Sequence, residues 1–384
     1  MYIISILTLL WVKIKRKGSE LLRAGIVGLP NVGKSTLFNA LTSSKKAESA
    51  NYPFCTIEPN VGVVIVPDDR MQVLSDLCSA KDILPTAIEF CDIAGLVKGA
   101  SQGEGLGNKF LHHIREVDAI IEVVRCFDDE NTVHVSGRVD PICDIEIINM
   151  ELALADLNSI EKRMERIAKS VKAGDKAALI EKEVIDKVRG YLENNQFFTD
   201  AEFTDEQKPF LKALHLLCAK PIIYVANVGE NDLLTSNKYV KLVEDFAKNQ
   251  NAQVVMISAQ IEAELADLEK DEAKAYLADL GVENSGVERM INAVYELLGL
   301  RTFFTAGEKE VRAWTIPAGA KAPQAAGVIH TDMEKGFIRA EVTAYNDFVE
   351  CGSYVAAREK GLTRLEGKDY VVQDGDLLHI RFAN

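Results

Sequence analysis

The sequence contains no Cys-x-x-Cys pair. Its seven cysteines (Cys55, Cys78, Cys91, Cys126, Cys143, Cys218, Cys351) are scattered and odd in number. That leaves neither a zinc-ligand spacing nor a disulfide framework, and points to reduced thiols in a cytosolic protein. Positive charge is also short: 44 Lys and Arg stand against 58 Asp and Glu, a formal net charge of −14. This argues against broad nucleic-acid binding and restricts contact with a polyanion to a local basic patch. A membrane-spanning run is missing too. Residues Met1 to Val12 are apolar and are followed by the basic Lys13-Ile14-Lys15-Arg16-Lys17. A signal peptide has the opposite order, and about twelve residues are too few to cross a bilayer. The expected first strand begins at Leu22, so residues 1–20 read as an extension of the kind that an early-assigned start site produces.

What is present is an apolar content of 47% over 384 residues, enough for two or three globular domains. The decisive stretch is Gly28-Leu29-Pro30-Asn31-Val32-Gly33-Lys34-Ser35-Thr36, a G-x-x-x-x-G-K-[ST] phosphate-binding loop. An apolar run, Ala24 to Val27, precedes it and a helical pattern, Thr36 to Leu41, follows. This is the strand–loop–helix context such a loop requires. Asn31, Val32, Gly33, Lys34, Ser35 and Thr36 are the phosphate-binding candidates. Glycines let backbone N–H groups face the phosphates, and the helix offers its positive end to the same anion. Lys34 would bridge the β- and γ-phosphates, and the Ser35 hydroxyl would ligate Mg²⁺.

Around this loop the chain alternates strands (Leu22–Gly28, Val61–Val66, Ala87–Asp92, Ala119–Arg125) with helices (Lys34–Thr42, Asp69–Cys78, Gly107–Glu116). That pattern predicts an α/β fold with a doubly wound, mostly parallel sheet. It resumes with a strand at Pro221–Asn227, a helix at Tyr239–Asn249 and a strand at Gln253–Ser258. In between, apolar residues from Ile145 to Leu192 recur at helical spacing, broken by a Lys172-Ala173-Gly174-Asp175 turn. This predicts an inserted antiparallel helical hairpin, a short coiled coil. From Lys162 to Arg189 nine Lys or Arg face five Asp or Glu. Lys162, Arg163, Arg166, Lys169, Lys172 and Lys176 form either a solvated face or a contact surface for RNA or a ribosomal protein. After Leu300 come extended segments at Val311–Ile316, Gly336–Val342 and Gly352–Val355. Asp369–Phe382 reads as a closing hairpin, and the whole as a small β-rich domain.

Further motifs sharpen the chemistry. Asp92-Ile93-Ala94-Gly95 matches D-x-x-G at the end of a strand. Asp92 would hold Mg²⁺ and the Gly95 N–H would sense the γ-phosphate. Thr56, in Pro53-Phe54-Cys55-Thr56-Ile57, is the natural switch threonine to complete the Mg²⁺ shell. Two departures matter. Where GTPases place N-K-x-D, this chain reads Asn227-Val228-Gly229-Glu230, with Ser258-Ala259-Gln260 in place of the usual S-A-K. Losing the charged bidentate guanine contact costs about 1.5–3 kcal/mol, so guanine preference should be weak and adenine becomes acceptable. Leu96 follows D-x-x-G where Ras-like enzymes use a water-orienting Gln. His134, able to exchange a proton near neutral pH, is then either a catalytic group or an incidental surface residue. Asn31 is placed to ligate a monovalent cation such as K⁺.

Together G-L-P-N-V-G-K-S-T (28–36), N-Y-P-F-C-T-I-E-P-N (51–60), D-I-A-G-L-V-K-G-A (92–100) and N-V-G-E (227–230) resemble the YchF family, the Obg-like ATPases of the TRAFAC P-loop class. The resemblance covers Leu22 to Asn384. It implies an OBG-type nucleotide-binding domain over 21–140 and 205–300, an inserted helical domain over 141–204, and a C-terminal β-grasp TGS domain over 301–384. It implies ATP as the preferred nucleotide, Mg²⁺ as cofactor, and a cytoplasmic role in translation or stress through the large ribosomal subunit, its RNA and proteins. Neither a membrane nor specific DNA is expected as a partner. The residues also admit an Obg-type GTPase, or a nucleotide-gated binding module with negligible turnover.

Overall fold

The computed structural model describes residues 21–43, 60–93, 106–128 and 138–383. They fall into two compact units: Leu22–Val64 with Glu89–Val294, and Ile65–Ile88 with Tyr295 to the C-terminal end. In chain order the first elements are β1 (Arg23–Val27), α1 (Lys34–Ser43), β2 (Val61–Ile65), α2 (Arg70–Cys78), β3 (Asp82–Leu84), β4 (Ala87–Asp92), α3 (Leu106–Glu116) and β5 (Ala119–Arg125). Then follow α4 (Pro141–Lys172), α5 (Lys176–Glu193), α6 (Lys208–Ala213), β6 (Ile222–Asn227), α7 (Lys238–Asn249) and β7 (Gln253–Ile257). After these come α8 (Ala259–Ala266), α9 (Lys270–Asp279) and α10 (Gly286–Leu297). The chain closes with β8 (Leu300–Ala306), β9 (Glu310–Pro317), α11 (Ala322–Ile329), α12 (Thr331–Lys335), β10 (Phe337–Thr343), α13 (Tyr345–Cys351), α14 (Tyr354–Glu359), β11 (Arg364–Glu366) and β12 (Leu377–Phe382).

The first unit is built on a six-stranded sheet of order β2-β4-β1-β5-β6-β7. The pairings from β4 through β1, β5 and β6 to β7 are all parallel. Its central strands are near-continuous apolar runs because both faces are covered: Ile120, Ile121, Val123 and Val124 on β5, and Ile222, Ile223, Val225 and Ala226 on β6, are buried. Glu122 is the exception. It is buried on β5 beside Tyr224 of β6, and among the described residues neither carboxylate oxygen has a hydrogen-bond partner. Burial, then the Asp144 carboxyl, push its pKa well above the ordinary 4.5.

The helical hairpin α4–α5 lies between β5 and β6 in the chain. Asp140 caps α4 by accepting the Cys143 N–H at 3.2 Å, with Pro141 in the first turn. Gly174 takes φ +76° in the turn, and Asp175 caps α5 by accepting the Ala178 N–H at 2.8 Å. The seam buries Ile160 and Ile167 of α4 and Val184, Ile185 and Val188 of α5. At the hairpin's root the fully buried Asp156 carboxylate accepts the Leu217 and Cys218 N–H groups at 3.0 and 2.8 Å.

The second unit holds a six-stranded sheet of order β11-β10-β12-β8-β9-β3. Its edge strand β3 pairs in parallel with β9, Asp82 opposite Glu310 and Leu84 opposite Arg312. Helix α2 places Met71 and Leu74 in a core with Phe304, Val311, Phe348 and Leu377. Arg70 bridges Asp68 and Asp374, each at 2.7 Å. Residues 65–88, expected within the nucleotide-binding segment, therefore belong to this unit.

Two local expectations are corrected here. Gly352–Val355 is not extended. Gly352, at φ +74°, ends α13, and Ser353 caps α14 by accepting the Ala356 N–H at 3.2 Å. Nor do Asp369–Phe382 close a hairpin. The Asp376 carboxylate accepts the Tyr370 hydroxyl and the Gln373 N–H at 2.7 and 2.8 Å. This turn sends Val371 to a bridge with Lys321, while β12 pairs with β10 and β8.

Candidate nucleotide-binding site

The phosphate loop runs from the end of β1 into α1, and crowding dictates its glycines. A Cβ on Gly28 would lie 2.8 Å from the Val123 carbonyl oxygen and 2.9 Å from Val32 Cγ2. Gly33 sits at φ +92°, and a Cβ there would lie 2.2 Å from Asn227 Nδ2. Asn31 adopts the left-handed φ of 64°. The Leu37 N–H then donates to the Gly33 carbonyl at 3.0 Å and opens the helix.

Lys34 is buried, and its ammonium donates to Asp92 Oδ1 at the end of β4. The loop lysine and the D-x-x-G aspartate thus meet at one point. Asp92 is held in turn by its N–H, which donates to the Asn60 carbonyl at 2.8 Å. Ser35 and Thr36 are exposed on the first turn of α1. The Ser35 hydroxyl and the Asp92 carboxylate are hard oxygen donors of the kind Mg²⁺ takes, so this donor set fits the ion. Thr56, Gly95, Leu96 and His134 lie outside the described residues.

Asn227 ties the phosphate loop to the rest of the site. Its amide Nδ2 donates to the Val32 carbonyl at 2.8 Å, and its Oδ1 accepts the Ala259 N–H at 2.9 Å. Both bonds are buried, and α8 starts at Ala259. Val228 is buried, and its N–H donates to the Ile257 carbonyl at 2.8 Å. Ser258 is also buried, with no hydrogen-bond partner for its hydroxyl among the described residues. Glu230 is exposed and lines a concavity with Phe127, Asp128, Gly229, Asn237 and Tyr239. So the structure brings Glu230 to this surface and sequesters Val228.

Sequence reasoning missed the walls of this concavity. Asn237 caps α7 and also donates to the Cys126 carbonyl at 2.8 Å. The Tyr239 hydroxyl donates to Asp128 Oδ1 at 2.8 Å. The Asn-Lys-Tyr start of α7 was a readable cap signal. Its pairing with the segment after β5 is a tertiary contact that no local pattern announces.

Similarity to known proteins agrees with this geometry. A family model described as 50S ribosome-binding GTPase matches residues 23–172. A model for the C-terminal domain of YchF-type GTPases, described as a protein of unknown function, matches residues 300–383. The ribosome-binding ATPase YchF of Bacillus subtilis (strain 168) is 57% identical over 363 residues, covering 94% of this chain and 99% of that protein. Its counterpart in Escherichia coli O157:H7 is 52% identical over 360 residues at the same coverage. The solved structure of the Schizosaccharomyces pombe YchF GTPase is 40% identical, with a TM-score of 0.84 over 94% of this chain and 98% of that one. A GTP-binding protein from Pyrococcus horikoshii OT3, at 21% identity and TM-score 0.61, shares the fold. With a phosphate loop and its aspartate converging on one point, and relatives matching nearly the whole chain, this protein belongs to the YchF family of P-loop nucleoside triphosphatases.

Proposed function

We propose that this protein is an Mg²⁺-dependent ATPase that prefers ATP over GTP and acts as a nucleotide-dependent switch on the ribosome. The observation that carries the nucleotide preference is the Asn227–Glu230 element. Asn227 performs its structural task of tying the phosphate loop to α8. The lysine that would pack along a guanine is the buried Val228, and the aspartate is the longer, exposed Glu230.

In this reading the backbone of residues 31–36 cradles the phosphates and Lys34 moves from Asp92 to the β- and γ-oxygens. Ser35, Thr56 and Asp92 hold Mg²⁺, which neutralises charge on those oxygens when bound. Gly95 senses the γ-phosphate. Leu96 is unable to orient water, so His134 or a partner assists turnover, and Asn31 serves K⁺. The nucleotide-binding domain takes residues 21–64, 89–140 and 205–300, the hairpin 141–204 and the TGS domain 301–384, with residues 65–88 in the same compact unit as the last.

The relatives named as ribosome-binding support a ribosomal partner, here the large subunit with its RNA and proteins, and a cytoplasmic location. No helix among the described residues is long and apolar enough to cross a membrane. Competition between ATP and GTP for the purified protein tests the reading. ATP is expected to bind at least as tightly. GTP binding about tenfold tighter, a difference of roughly 1.4 kcal/mol, would instead favour a GTPase in which the Glu230 carboxylate reads guanine.

A further inference from the structure

Helix α3 carries His112, His113 and Glu116 in its last two turns. One nitrogen from each imidazole and one carboxylate oxygen lie within 4.8 Å of one another. His112 Nδ1 is 3.8 Å from Glu116 Oε1, and the two imidazole rings stand 87° apart with centroids separated by 6.1 Å. Among the described residues no other side-chain hydrogen bond or ion pair engages these three groups.

The backbone beneath them is anchored. Arg115 donates to the Ser159 hydroxyl at 2.8 Å, and Lys220 donates to the Arg115 carbonyl at 3.1 Å. The i, i+4 spacing of His112 and Glu116 puts them on one helix face, so the helix itself pays most of the ordering entropy of a chelate.

We infer that His112, His113 and Glu116 form a binding site for a divalent transition metal of the zinc class, distinct from the Mg²⁺ site of the nucleotide. Two imidazoles and a carboxylate match the ligand types of Zn²⁺, and three protein ligands leave the remaining positions to water. Bonds of about 2.1 Å in a tetrahedral shell put ligand atoms roughly 3.4 Å apart. Closing from the present separation needs only rotamer adjustment in exposed side chains. Mg²⁺ demands oxygen ligands and holds its waters, so it does not compete here.

The test is calorimetric titration of Zn²⁺ into the full-length protein under excess Mg²⁺, repeated with Co²⁺ and its visible absorption. One saturable site is expected. Losing even a neighbour of a metal ligand costs roughly 10–100-fold in affinity, so H112A/H113A should weaken binding by at least about tenfold. Both positions are exposed on a helix, where alanine is the most favourable residue, so the variant retains its fold. Zn²⁺ should also raise the melting temperature of the wild type and not of the variant. The variant keeps every cysteine. An isotherm identical in wild type and variant therefore places the metal elsewhere and overturns the site, as does binding that fails to saturate below millimolar Zn²⁺.

Discussion

Asn227 donates its side-chain amide to the carbonyl oxygen of Val32 at 2.8 Å, a bond between residues 195 positions apart in the chain. One side chain thus fixes the phosphate loop against the end of β6 and the start of α8. In Asn227→Asp the donor is lost and a buried carboxylate faces a carbonyl. A buried unsatisfied group costs about 1–3 kcal/mol, so nucleotide affinity should fall by roughly five- to a hundredfold. Fluorescent-nucleotide titration checks this, and wild-type affinity in the variant would refute it.

Lys34→Ala should abolish hydrolysis or reduce it by about a hundredfold or more, the usual cost of removing a donor to developing charge. Phosphate release under saturating ATP and Mg²⁺ measures it. Ser35→Ala should weaken the Mg²⁺ dependence in the same assay. Unchanged rates in both variants would remove the assignment of the loop.

Glu122 makes stability fall with pH. Its folded-state pKa is raised, by burial first and by Asp144 second. The folded protein therefore keeps a proton that the unfolded chain releases. Below the ordinary value of 4.5 both states hold the proton and nothing is lost. Above it, stability declines with a slope of up to about 1.4 kcal/mol per pH unit until the raised value is reached. Glu122→Gln removes that slope. Urea unfolding from about pH 5 to about pH 9 should show the gap between variant and wild type widening as pH rises; parallel curves would contradict the assignment.

The hairpin's basic residues divide into two kinds. Arg163 is engaged in a bidentate pair with the buried Glu181 carboxylate, at 2.5 and 3.0 Å, and is no candidate for phosphate contact. Lys162, Arg166, Lys169 and Lys172 are exposed. Reversing Lys162, Arg166 and Lys169 to Glu should lower ribosome co-sedimentation, most steeply at low salt, with nucleotide affinity intact. Arg163→Ala should instead lower thermal stability by about 1–2 kcal/mol, the half-exposed fraction of a buried-pair loss. If the triple reversal leaves co-sedimentation unchanged, the hairpin is a spacer.

The nucleotide-binding half was legible because its signals are local: apolar runs for buried parallel strands and a complete phosphate-loop motif. The hairpin was legible for the same reason, from periodicity and a Gly-Asp turn. Gly352 and Ser353 misled because a Gly-Ser pair suits a helix-to-helix junction as well as an extended segment. Strand β3 has only three residues, Asp82, Ile83 and Leu84. What makes it a strand is β9, more than two hundred positions later, and nothing in its own composition states that partner.

That strand has a genetic consequence. The C-terminal unit is not a cassette that a gene fusion or a stop codon near Leu300 can add or remove. Part of it, α2 and β3, is encoded between two nucleotide-binding motifs. A stop codon there would leave β3 without β9, Arg70 without Asp374, and Met71 and Leu74 without Phe304 and Leu377. A truncated allele therefore reports on damaged folding upstream as much as on the missing domain. Domain exchange between relatives needs three junctions, one on each side of residues 65–88 and a further one before Tyr295.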